Sequence, residues 1–191
     1  MKIENDFVYG LHSSVKASKF PMSVDTSECS DEITNTVKKL GCAKVGSGHD
    51  NFLNGIIVQF DLTFSNKAWV EAERYHFLDF VSSQSTMHKI TKLNPYKQCN
   101  GYVDVRVIEV LEEKIQDYNA APTAENYLKV LYNVPSGFEL TARMTTNYRQ
   151  LKTIYYQRRN HRLPEWREFC KWIETLPYFS ELCLNGGKND E

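Results

Sequence analysis

The sequence carries almost no net charge: 23 Lys and Arg against 24 Asp and Glu leave −1 at pH 7. It has no global basic field for long nucleic acid, so any hold on phosphate has to be local. Paired cysteines are also lacking. Cys29, Cys42, Cys99, Cys170 and Cys183 are odd in number and widely spaced, and no Cys-x-x-Cys occurs. That argues against both a disulfide framework and a structural zinc site, and fits a reducing cytoplasm. No apolar run approaches the length of a membrane span. Residues 1–6 lack the apolar stretch of a secretory leader, so none is expected. There is no internal repeat.

Hydrophobic residues make up 41% of the chain and aromatics 13%, enough for a sizeable core. Residues 57–64 alternate cleanly: Val58, Phe60, Leu62 and Phe64 share one face, while Gln59, Asp61 and Thr63 share the other. A period of two predicts a half-buried, antiparallel strand. Ser65 caps a predicted helix running through Ala68, Val70, Ala72 and His76 to about Phe80, followed by a serine-rich break over 82–85. Ser30-Asp31-Glu32 opens a predicted helix through Ile33, Val37 and Leu40 that stops at Gly41. A turn-rich segment, 46–51, comes next.

Further helices are predicted over 105–118 (Ile108, Leu111, Ile115), from Pro122-Thr123 to before Pro135, and from Thr146 or Asn147 to about Tyr156. The last opens at Pro164, with Trp166, Phe169, Cys170 and Ile173 as its buried face. Residues 138–146 read as extended. Few strands and many helices in no regular βαβ order predict an α+β domain, a small antiparallel sheet packed with several helices. The expected domain spans 1–180, with a flexible polar tail over 181–191.

Three segments carry a resemblance to a known family. The first is Ser47-Gly48-His49-Asp50-Asn51-Phe52, leading into the alternating strand. The second is Tyr75-His76-Phe77, then seven residues, then Ser85, preceded by Gln84. The third reads Val134-Pro135, Thr141, Thr145, Asn147-Tyr148-Arg149, Leu151, Arg158 and Glu165-Trp166. Together they resemble the flavin-dependent thymidylate synthase (ThyX-like) family. Its members have a His-Gly-His-Glu-Thr-Pro-Phe-Glu-His stretch, then Arg-His-Arg with seven residues before Ser, then Asn-x-Arg opening a helix. The resemblance covers roughly residues 10–180.

The resemblance implies a homo-oligomer, a homotetramer in the family, whose sites are assembled from several subunits. It implies FAD, with NADPH and methylenetetrahydrofolate, and a methyltransferase-type reaction at C5 of a deoxyuridine nucleotide, dUMP. His49, Asn51, His76, Asn147 and Arg149 fall on flavin-side positions. Gln84 and Ser85 fall on the nucleotide side. Arg158 falls on the arginine that polarises the base, with Arg159 as its fallback. An arginine there would stabilise negative charge developing on the ring carbonyl. The alternative is a catalytically inactive nucleotide- or flavin-binding protein of the same fold.

Each of these residues also has a plainer reading. His49 sits in a Gly-rich turn and is either a loop residue or a ligand. His76 lies on an apolar helical face, as a core histidine or a flavin contact. Ser85 and Asn147 are both good helix caps. Arg149 and Arg158 suit ion pairs on a solvated helix. Asn147 and Arg158 are eleven residues apart, about three turns, and share a face; Arg149 is about 200° away.

Both arginines flanking the second histidine are missing, since Tyr75 and Phe77 stand there, and Arg74 lies one position early. Met87 and Leu131 occupy the positions where the family holds nucleotide phosphate with arginine. Lys89, Lys129 and Arg143 are the cations nearby in sequence.

Overall fold

The alternation over 57–64 becomes β2 (Ile57–Ser65), and its Val58, Phe60, Leu62 and Phe64 are completely buried. The computed structural model describes residues 1–44 and 46–184. The remaining strands are β1 (Lys2–Tyr9), β3 (Asp79–Ser83) and β4 (Glu139–Asn147), and the sheet order is β1-β2-β4-β3. Thr63 and Thr141 share a hydroxyl hydrogen bond of 2.7 Å, and Arg143 donates to Asp61 over 3.2 Å. Advancing along β2 therefore means retreating along β4, so the pair is antiparallel. The sheet is small, open and antiparallel, and the fold is α+β.

The helices are α1 (Leu11–Ala17), α2 (Asn35–Gly41), α3 (Asn66–Ala72), α4 (Thr86–Lys89), α5 (Pro95–Gln98), α6 (Val105–Ala120), α7 (Ala124–Tyr132), α8 (Tyr148–Arg158) and α9 (Pro164–Thr175). Their capping chemistry is local. Ser65, Thr123 and Asn147 accept from the backbone N–H of Ala68, Asn126 and Gln150, as strong N-cap residues do. Pro164 opens α9, as its pre-set φ favours, and Trp166, Phe169, Cys170 and Ile173 form the buried face. None of the described helices is long and apolar enough to cross a membrane.

Several boundaries differ from the sequence reading. The helix expected from Ser30-Asp31-Glu32 begins only at Asn35, because Thr34 makes the cap. The helix after Ser65 stops at Ala72 rather than near Phe80. Phe77 adopts φ +65, and the chain reverses into β3, whose five residues are all exposed. The chain stays packed past residue 180: Ser180–Leu184 forms a π-helical turn with Leu182 and Cys183 buried. The tail expected over 185–191 lies outside the described residues.

Contacts divide the described chain into two compact units, where the sequence reading gives one domain. One comprises 1–3, 61–74 and 80–143, and the other 4–60, 75–79 and 144–184. In the first, Ile90, Leu111, Ile115, Val130 and Phe138 form the core beneath α6 and α7. In the second, Phe60 of β2 meets Phe169 and Trp172 of α9, with ring centroids 5.9 and 4.5 Å away. The last turn packs on α2 in the same unit. A Cβ at Gly41 would come within 2.2 Å of the Leu182 carbonyl oxygen, so the position admits only glycine.

Truncating Phe60 to alanine removes a wholly buried ring between two aromatic neighbours and should cost about 3–5 kcal/mol in denaturant unfolding. Val70→Ala, on the exposed side of α3, should stay within about 0.5 kcal/mol of the parent in the same measurement.

Candidate functional site

The six positions on the flavin side or at the base-polarising arginine, His49, Asn51, His76, Asn147, Arg149 and Arg158, all fall in the second unit. Gln84 and Ser85 fall in the first.

In the second unit the organising group is one that sequence reasoning missed. Asp50, standing where the resembled stretch has glutamate, is fully buried. Its Oδ1 accepts from Arg149 Nε at 3.1 Å and its Oδ2 from Lys152 Nζ at 3.1 Å. Lys152 is only 2% exposed and also donates to the carbonyl oxygens of Gly41 at 2.8 Å and Ala43 at 2.7 Å. All three of its protons thus have acceptors. Arg149 and Lys152 are three residues apart on α8, so one face of one turn delivers both cations to one carboxylate. Nothing in the local pattern marks Lys152, since a lysine in a helix is normally solvated.

This cluster fixes where the sequence-predicted residues sit. His49 and Asn51 flank Asp50 in the chain and are both exposed. Gly46 and Gly48 take φ +90 and +81, the left-handed conformations that turn this segment and that glycine tolerates best. The turn is closed by Asn51 N–H donating to the Gly48 carbonyl at 3.3 Å. Asn147 is 8% exposed, and its side chain caps α8, donated to by Gln150 N–H at 2.8 Å. The N–H of Tyr148 donates to the Ile56 carbonyl at 3.0 Å, tying the start of the helix to the end of the same loop region.

The electrostatics leave a surplus. Two cations meet one carboxylate, so the cluster is net positive by one charge. Lys152 is spent internally. Arg149 is about 30% exposed, and among the described residues its terminal guanidinium nitrogens make no hydrogen bond. A guanidinium oriented through Nε, with its two outer nitrogens open, is arranged to receive an anionic oxygen pair.

Arg158 is placed differently. It is 5% exposed, donates to the Tyr75 hydroxyl at 2.6 Å and lies 2.7 Å from His161 Nε2. Its guanidinium also stands 5.0 Å from the Trp166 ring and 5.4 Å from that of Tyr75, in cation–π range. Tyr75 in turn donates to Gln157 at 3.0 Å. The packing brings Tyr75, where the family pattern has an arginine, against the arginine at 158. The adjacent Arg159 is exposed, its guanidinium resting on Tyr155 and Tyr156. His76 is exposed in the turn after α3 and not on a buried helical face.

In the first unit, Gln84 extends the strand pairing: its N–H donates to the Thr141 carbonyl, and its side-chain oxygen accepts from Thr141 N–H, both at 2.9 Å. Its amide NH₂ makes no bond among the described residues. Ser85 precedes α4 as N-cap, and its hydroxyl makes no capping bond. Met87 is 59% exposed, and Leu131 packs against the Ile90–Phe138 core. Arg143 pairs with Asp61 at 3.2 Å and Lys129 with Glu125 at 2.8 Å.

Lys152→Met would leave Asp50 with Arg149 alone and strip the carbonyls of Gly41 and Ala43 of this donor. It should destabilise the chain by about 3–5 kcal/mol, read from the denaturant midpoint.

No family profile and no curated protein matches this sequence. Solved structures do. A flavin-dependent thymidylate synthase ThyX from Helicobacter pylori, complexed with FAD and dUMP, superposes with a TM-score of 0.74 at 17% identity. The match covers 98% of this chain and 100% of that one. A second structure of thymidylate synthase X from the same organism, also with FAD and dUMP, gives 0.77 at 16% identity over 99% and 100%. The agreement runs the length of both chains, and this protein therefore has the fold of the flavin-dependent thymidylate synthases.

Proposed function

We propose that this chain binds FAD and a deoxyuridine nucleotide and acts as a divergent thymidylate synthase-like enzyme. The supporting observation is Arg149, a half-exposed guanidinium aimed by a buried carboxylate, in a cluster left with one uncompensated positive charge. An anionic cofactor completes that charge, and the phosphates of a dinucleotide suit an open guanidinium fork. In this reading Arg149 holds phosphate, and Asn147 sets the start of α8. His49 and Asn51 contact the cofactor from the loop anchored by Asp50, and His76 contributes from its exposed turn. When bound, flavin supplies the redox chemistry, and the protein positions and polarises.

On the nucleotide side, Ser85 offers its hydroxyl and Gln84 its amide NH₂. The base-polarising charge is assigned to Arg158 by the resemblance. Arg159 is the exposed neighbour, and it can supply the same charge to a developing oxyanion. NADPH as reductant, methylenetetrahydrofolate as one-carbon donor, a homotetrameric assembly and a cytoplasmic setting belong to the same proposal.

A second reading is favoured by Met87 and Leu131. Neither side chain can pair with a phosphate dianion, and Leu131 is committed to the core. Under this reading the fold binds flavin or nucleotide without turnover.

Purified protein should be yellow or take up added FAD. Arg149→Ala should weaken FAD binding by about 10- to 100-fold, the loss of one charge-assisted contact. Arg149→Lys should recover only part, because an ammonium lacks the fork. Colourless protein indifferent to FAD would overturn the reading. Exchange of the C5 hydrogen of dUMP with solvent separates enzyme from binder. Comparing Arg158→Ala with Arg159→Ala in that exchange shows which arginine serves the base.

A further inference from the structure

The first unit contains a second concentration of unspent positive charge. A groove of ≈ 380 Å³ opens between α4, the 3-10 turn Ile90–Lys92 that follows it, and the tyrosines of α6 and α7. Met87, His88, Lys89, Lys92, Tyr118 and Tyr127 line it.

The floor is fixed. Ile90 is completely buried in the Leu111–Phe138 core, and Tyr118 and Tyr127 pack against that core with ring centroids 5.1 Å apart. The Tyr127 hydroxyl donates to the Met87 carbonyl at 2.7 Å, pinning α4 to α7. The backbone that carries the rim is thus held from two sides.

The rim is basic and uncommitted. Among the described residues, the side chains of His88, Lys89 and Lys92 make no ion pair or hydrogen bond. The neighbouring lysines do: Lys114 is taken by Glu113 and Asp117, and Lys129 by Glu125. Two ammonium groups and an imidazole therefore converge on a concave surface with no carboxylate to answer them. Such a concentration attracts a multiply charged anion, and two tyrosine rings beside it suit a ligand with a flat or sugar-like body.

We propose that this groove is the phosphate site for the nucleotide, with Lys89 and Lys92 as the principal ligands and His88 as a third. The charge that Met87 cannot supply comes from the residues immediately after it. Gln84 and Ser85, with their open amide and hydroxyl, lie in the same unit just upstream of α4. The proposal takes the identity of its ligand from the nucleotide half of the proposed function. It does not depend on flavin binding.

The test measures binding of dUMP, deoxyuridine and inorganic phosphate by calorimetry to the intact protein and to a Lys89→Gln/Lys92→Gln double variant. Far-UV circular dichroism confirms the fold, and FAD uptake is scored separately. In the parent, dUMP should bind at least about ten-fold more tightly than deoxyuridine, and phosphate should compete with it. In the double variant that advantage should vanish, while deoxyuridine and FAD affinities stay unchanged. Equal binding of dUMP and deoxyuridine by the parent would overturn the proposal. So would a full phosphate advantage in the double variant, or an advantage abolished by Arg149→Ala instead, or failure to bind dUMP and phosphate at all. Failure to bind FAD alongside lysine-dependent dUMP binding would sink the flavin reading and leave this site standing.

Discussion

A carboxylate that no water reaches has to be answered by charge, and Asp50 is answered twice. Much of the second unit's arrangement around the 46–51 loop and α8 follows from that requirement. Lys152 satisfies the carboxylate and, with its remaining protons, ties down the backbone at the end of α2 and just past it. Arg149 satisfies it through one nitrogen and keeps two for something else. Burying this triad carries a desolvation cost that ordinary packing would avoid. What it secures is placement: the loop bearing His49 and Asn51 cannot drift from the helix bearing Arg149 without exposing unpaired charge. Preorganisation of this kind is how a binding surface keeps its geometry before a ligand arrives.

The two units divide the chemistry as well as the chain. Positive charge left over in one rests on a single arginine of a helix; in the other it is spread over Lys89 and Lys92. An arginine gives a planar fork with fixed direction, while lysines give mobile point charges. An anion held by the first arrangement would be selected by geometry, one held by the second mainly by charge and proximity. A chain with this fold that lacks arginine at 87 and 131 can still carry phosphate affinity, with less directional selectivity.

Legibility in the sequence tracked how asymmetric each environment is. β2 was readable because one face is wholly buried and the other half-exposed, and α6 and α9 because their buried stripes keep helical spacing. β1 was missed: Asn5 takes φ +52 between the half-buried Ile3 and Val8, so the alternation changes phase midway. β3 was missed because all five residues are exposed, leaving no period to detect. The resemblance singles out Arg149 and the His49–Asn51 loop, which the structure joins through Asp50. It could not show that Lys152 is buried, because that rests on two carbonyls and a carboxylate more than a hundred residues earlier in the chain. Nor could it show Arg158 enclosed by His161, Trp166 and Tyr75, an enclosure that only the distant Tyr75 completes.

Gly41 links the far end of the described chain to this arrangement. Its carbonyl accepts from Lys152, and its α-carbon lies against the Leu182 backbone with no space for a methyl group. Leu182 thus presses on the end of α2, where Lys152 holds the Gly41 carbonyl. Removing the final π-helical turn would open a gap behind Gly41 and loosen the grip on the loop that carries His49. Damage more than a hundred residues from that loop would then reach the surroundings of Asp50.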